Sequence, residues 1–177
     1  MKKFFTKRNK AFTLVETLVA ISIFTVSILG LMSVLAQGTN DTTYAKRKII
    51  ATYLAQEGIE YLRNMRDTYV LYTGIPGNSW SDFKADLAPC NPGTGCGFDP
   101  TFPHIVFTCT GGNSCKLYIV NGGYSTSPSG TDSGFTRKVW MTTIGNDEVK
   151  VFSTVSWTQV SGTYTMTFAE NLFNWIQ

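Results

Sequence analysis

Charge is scarce in this sequence. Charged residues make up 15% of its 177 residues, against about 25% in ordinary soluble domains. Hydrophobic residues reach 43%, so the scarcity is not that of a disordered chain, which combines low hydrophobicity with high net charge. A broad basic surface of the kind that grips nucleic acid is excluded as well, because that footprint needs many clustered Lys and Arg. No nucleic-acid partner is assigned. Histidine is nearly absent: His104 is the single one, and it reads as a strand residue rather than a catalytic base. There is no G-x-x-x-x-G-K-[ST] phosphate loop and no EF-hand spacing. Asp99, Asp132, Asp147 and Glu148 read as loop acids. The reading is therefore of a protein with no catalytic residues, no metal and no cofactor.

What charge there is sits unevenly. Lys2, Lys3, Lys7, Arg8 and Lys10 fall in the first ten residues with no acid among them, while the other ten basic and all twelve acidic residues leave the body at −2. The net +3 is thus a property of the leader. From Phe12 to Ala36 runs an apolar stretch whose only ionisable side chain is Glu16. At 1.5 Å per helical residue, about 20 residues cross a bilayer's hydrocarbon core. The basic leader marks the cytoplasmic side, which places the body outside. Three readings compete. A secretory signal would be cut after Val34-Leu35-Ala36, before Gln37, but its apolar region would be far longer than usual and would contain Glu16. A plain signal anchor would leave Glu16 idle. The third gives Glu16 a partner, since an acid inside a membrane span is costly enough to suggest a function.

Lys10-Ala11-Phe12-Thr13-Leu14-Val15-Glu16-Thr17-Leu18-Val19-Ala20-Ile21 closely resembles the amino-terminal signal of type IV pilins and type II secretion pseudopilins. That signal is a short basic leader, a small residue, then Phe-Thr-Leu, an aliphatic residue and Glu. Ala11 stands where the family usually has Gly. The resemblance implies that prepilin peptidase cuts between Ala11 and Phe12 and N-methylates Phe12. It implies that Glu16 pairs with the Phe12 amine of a neighbouring subunit during assembly. The implied partners are other pilin or pseudopilin subunits, the peptidase and an inner-membrane assembly platform. The implied location is the inner membrane, single-pass with the N-terminus cytoplasmic, and then a surface or periplasmic filament. The alternative is a single-pass membrane-anchored or secreted disulfide-containing binding domain.

Beyond Ala36 the chain continues to Asp67 without Pro. Ile50, Leu54, Tyr61, Leu62 and Met65 recur at helical spacing, with Gly58 interrupting. The spacing predicts one helix from about Phe12 to about Arg66, apolar all round in its first half and amphipathic in its second. Arg63 and Arg66 are expected near its end, where cations complement the helix dipole. Thr39-Asn40-Asp41-Thr42-Thr43 is a poor helix former and the expected place for any break. Lys46-Arg47-Lys48 reads as a solvated helix face.

From about Thr73 the texture changes to turn signals, as in Gly74-Ile75-Pro76-Gly77-Asn78. His104–Cys109 and Cys115–Val120 flank a five-residue loop and read as a hairpin. The stretch 126–134 reads as a polar loop. Arg137–Ile144, Val149–Val160 and Thr163–Phe168 read as an antiparallel meander, with Val149, Val151, Ser153, Val155 and Trp157 on one face. The expected fold is α+β and pilin-like: a long, partly transmembrane helix packed on a small antiparallel sheet. Its parts are a leader over 1–11, a membrane or filament-core helix over 12–36, an amphipathic continuation over 37–67 and a β-rich domain over 68–177. The stretch with Arg137, Val139, then Val151 to Trp157 and a closing Asn171–Trp175 looks like the V-type minor pilins and I-type minor pseudopilins. Four cysteines allow three pairings. Outside the cytoplasm disulfides persist, and Cys90–Cys96 with Cys109–Cys115 is the favoured pair. Zinc is the alternative, although a five-residue gap is wider than its usual ligand spacing.

Overall fold

The computed structural model describes residues 12–71, 79–100, 105–111, 115–159 and 162–175. The leader with Ala11, the 74–78 turn, His104 and residues 112–114 lie outside the described residues. The chain divides into two units, Met1–Tyr44 and Ala45–Gln177, with the helix α1 (Leu14–Leu71) running from the first into the second.

In the first unit α1 has no core to pack on. Its apolar residues stand exposed all round, Phe12 at 76% and Leu14 at 80%. The 39–43 stretch does not break the helix. The Thr39, Thr42 and Thr43 hydroxyls donate back to the carbonyls of Ala36, Gly38 and Thr39. These short side chains use the helix's own carbonyls as partners and so stay within it.

In the second unit the amphipathic half of α1 buries Ala51, Leu54, Ala55, Gly58, Ile59, Leu62, Met65 and Tyr69. Leu54, Leu62 and Met65 belong to the expected stripe; Ile50 and Tyr61 sit at its half-buried margin. Gly58 belongs to the packed face. A Cβ built there would lie 2.2 Å from Ser153 Oγ and 2.9 Å from its Cβ. The residue that weakens the helix is the one that lets it approach the sheet.

A second helix, α2 (Trp80–Leu87), lies in the stretch that reads as turns. Ser79 caps it by accepting from Asp82 N, and Trp80, Phe83 and Leu87 bury one face. Seven strands follow: β1 (Cys96–Phe98), β2 (Val106–Thr108), β3 (Lys116–Val120), β4 (Gly123–Ser125), β5 (Thr131–Thr143), β6 (Glu148–Gln159) and β7 (Gly162–Phe173). All pair antiparallel in one sheet. β5 is central. One edge takes β1 and β3, and the other takes β6, which carries β7. The β5–β6–β7 meander is as expected. Its inner β6 face of Val149, Val151, Ser153, Val155 and Trp157 is buried.

Two features differ from the sequence reading. The stretch 126–134 is not wholly loop, since β5 starts at Thr131. It stays extended because β3 takes it up, through a bulge at which Gly134 adopts φ +72°. The segments 104–109 and 115–120 do not form a hairpin with each other. β2 pairs with β1, while β3 pairs with β4 and β5. The reason is local. Asn121 (φ 50°) and Gly122 (φ 82°) form a two-residue turn with both central φ positive, the geometry that best closes a twisted hairpin. That turn gives β3 a partner in β4, and Cys109 N donates instead to Gly95 O.

Candidate functional site: the amino-terminal helix and its anchorage

Helix α1 begins one residue after Thr13. Glu16 N donates to Thr13 Oγ1 at 3.3 Å. In return Thr13 N and Thr13 Oγ1 donate to Glu16 Oε2 at 3.4 and 3.3 Å. This is a capping box, in which a Thr and a Glu three residues on satisfy each other's orphan donors at a helix start. The sequence reading singled out Phe12 and Glu16 but missed Thr13. The S/T-x-x-E signature was there to find it. Glu16 therefore has two qualities at once: it is the lone acid of an apolar helix, and its carboxylate lies at the positive end of the helix dipole.

The segment that follows is fitted to an apolar surround. An 18-residue window of α1 has mean hydropathy 2.5 and none of it is buried. Its polar side chains are satisfied internally. Thr17, Ser22, Thr25 and Ser27 hydroxyls donate to the carbonyls of Leu14, Val19, Ser22 and Ile23 at 2.8 to 2.9 Å. In a bilayer, where no water can serve these groups, such back-bonding removes a cost of several kcal/mol per unsatisfied group. Burying a single Leu or Phe is worth about 1.5–3 kcal/mol. A helix exposing this many is long and apolar enough to cross a membrane and, with the basic leader before it, suggests membrane anchoring.

In the second unit, α1 is anchored by charge as well as packing. Arg137 on β5 is 2% exposed. Its guanidinium lies 3.8 Å from the Phe98 ring centre, and its Nη1 donates to Glu57 Oε2 at 2.5 Å. Burial pushes this guanidinium below its ordinary value, and the Glu57 carboxylate opposes the push. Arg63 and Arg66 are not in the last turn of α1, which runs on to Leu71. They hold the far end of the sheet instead. Arg63 pairs with Glu170 at 2.7 Å, which raises its pKa, and Arg66 donates to the carbonyls of Phe173 and Trp175. Arg47, read as part of a solvated cluster, donates to Thr158 O. Near the helix end, the Tyr69 hydroxyl donates to Asp86. Burial first and that carboxylate second push its pKa up to about 12.

The structure pairs Cys90 with Cys96 and Cys109 with Cys115. The first bridge is wholly buried, at 0% and 1% exposure, and the Cys90 carbonyl accepts from Met141 N. It therefore fastens the end of the α2 segment to β1 and β5. The second ties the end of β2 to the start of β3. It links two strands that are not neighbours in the sheet, rather than stapling a hairpin. All four sulfurs are taken up in these two bridges. Among the described residues no group of three or more His, Cys, Asp or Glu could hold a metal. Glu57, Glu60, Tyr61, Arg63, Asn64, Asp67, Phe98 and Pro100 line an open cavity of about 400 Å³. Its charges are already paired: Arg63 bonds Glu60 and Glu170, Glu57 bonds Arg137, and Asp67 bonds Arg66.

Residues 6–32 match the family model described as the prokaryotic N-terminal methylation motif. The match covers the end of the leader, Ala11, Phe12, the capping box and most of the exposed apolar helix. Comparison with curated proteins and with solved structures finds no match. The chain thus carries a prepilin-type methylation motif on an α+β, pilin-like fold, which together support a type IV pilin-like or pseudopilin precursor.

Proposed function

We propose that this protein is a structural subunit, a minor pilin or pseudopilin of the V or I type, that works by assembly rather than catalysis. The observation that carries the reading is the unburied apolar helix headed by Glu16, set inside a methylation motif. Prepilin peptidase hydrolyses the bond between Ala11 and Phe12 and methylates the new amine. The cut creates a cation four residues from Glu16, at the start of a helix that must find apolar cover. Within a filament a buried ammonium and a buried carboxylate are each costly alone and tolerable as a pair, and such a pair sets the axial register of neighbouring helices. Glu16 is ready for this exchange. Its capping-box bonds are long, and a typical hydrogen bond contributes only about 0.5–1.5 kcal/mol net. Before assembly the subunit is held in the inner membrane with its N-terminus cytoplasmic, beside the assembly platform.

Mass spectrometry of the mature N-terminus from cells expressing the peptidase tests the reading. The expected chain begins at N-methylated Phe12. A chain beginning at Gln37 overturns it in favour of a secreted domain, and an intact Met1 overturns it in favour of a plain anchor.

A further inference from the structure

Strand β7 is the last strand on its side of the sheet. It pairs along its full length with β6 and, among the described residues, with no other strand. Its other edge is held at its C-terminal end, where the Phe173 carbonyl accepts from Arg66; over Gly162–Asn171 it lacks the Lys, Pro, bulges or brevity by which natural proteins often protect such an edge. Gly162–Phe173 is twelve residues long, contains no Pro, Lys or Arg, and keeps an unbroken register with β6. Its single charge, Glu170, is bound to Arg63. Thr163, Thr165, Thr167 and Ala169 are exposed, and Met166 and Phe168 are half-buried.

We propose that β7 is a self-pairing edge, through which two copies of this chain join antiparallel into one continuous sheet. Length selects this occupant. Among the described residues the other terminal strands of the sheet, β2 and β4, are three residues each, so a second β7 is the edge that matches its span. Chemistry agrees. With the two-fold axis at Thr167, Thr165 faces Ala169, Met166 faces Phe168 and Tyr164 faces Glu170. No like charges meet, and β-branched and apolar residues pair, the combinations that stabilise cross-strand neighbours. The contact is isologous and consumes both long edges, so it closes at a dimer instead of growing. It does not depend on the filament reading.

The test uses the full-length chain in detergent micelles, which cover the apolar helix, with mass measured by sedimentation over a range of concentrations. The expected result is a monomer–dimer equilibrium. The double variant T165K/T167K raises the dissociation constant about tenfold or more, while Thr143→Lys, on the interior strand β5, leaves it unchanged. A native chain that stays monomeric throughout overturns the proposal, as does a dimer indifferent to T165K/T167K. If that variant loses its native circular dichroism, Thr167→Cys replaces it. A short bis-maleimide should then link Cys-bearing copies into dimers and fail to link Thr143→Cys. Equal linking of both overturns the proposal.

Discussion

At the scale of single residues, the ion pair between Arg137 and Glu57 is lopsided. Arg137 is 2% exposed at its side chain and Glu57 is 40% exposed. Removing the buried partner leaves a carboxylate that water can reach. Removing the half-exposed partner leaves a guanidinium that can neither find water nor shed its proton. Breaking a buried pair by deleting one partner costs about 3–5 kcal/mol when the survivor is uncompensated, whereas an apolar replacement of the buried charge is often near neutral. Glu57→Ala is therefore expected to destabilise the second unit by that amount and Arg137→Met by clearly less, in urea unfolding followed by tryptophan fluorescence. Equal losses would show that the pair, not the buried charge, sets the energy. The sequence marked Arg137 as the start of a strand and as part of the minor-pilin resemblance, but not as a buried charge. Nothing in a β-rich run announces that one of its Arg residues points inward, because burial there depends on Phe98 and Glu57 arriving from elements 39 and 80 residues away. Glu16 was legible for the opposite reason: its setting is entirely local.

At the scale of elements, periodicity found what is periodic and missed what is short. The meander and the α1 stripe have long, regular patterns. Helix α2 is eight residues, and its Ser79 cap and Trp80, Phe83, Leu87 spacing lie close behind a Gly/Pro-rich stretch that reads as turn. The β3–β4 hairpin was signalled by Asn121-Gly122, the strongest short-range hairpin dipeptide. A competing hairpin across the Cys109–Cys115 loop drew strand β3 the other way. The hydrogen bond joining the end of α1 to α2 has a consequence for pH. Tyr69 ordinarily titrates near 10 and is pushed up to about 12, so the folded state keeps its proton longer than the unfolded one. The stability due to this link is complete below pH 10 and is lost as pH rises from there to about 12. The difference in urea midpoint between the native chain and Tyr69→Phe should shrink over that window. A difference that stays constant to pH 12 would contradict the link.

At the scale of the whole molecule, fold class and the N-terminal motif were legible because both rest on runs: a basic leader, an apolar helix, alternating strands. Sheet order was not, because pairing is decided between distant segments and, here, by two cross-links. Each bridge closes a loop of about seven residues, worth about 2 kcal/mol on the chain-entropy account. Replacing Cys90 and Cys96 by Ala also removes two sulfurs from the core and is expected to cost more than the same change at Cys109 and Cys115, where Cys109 is only half-buried. Thermal unfolding of the two double variants checks the order, and the reverse order would refute it. The long reach of the Arg63–Glu170 and Arg66–Phe173 contacts, each 107 residues apart in sequence, bears on the order of events during synthesis. The face of α1 bearing Leu54, Leu62 and Met65 leaves the ribosome early, and β6 and β7, which help to cover it, are made more than 80 residues later. Contacts so distant form slowly, and an apolar face left bare meanwhile invites aggregation. A nascent chain stalled before residue 148 would lack the strands needed to close the domain, so its ribosome must run far ahead of its fold.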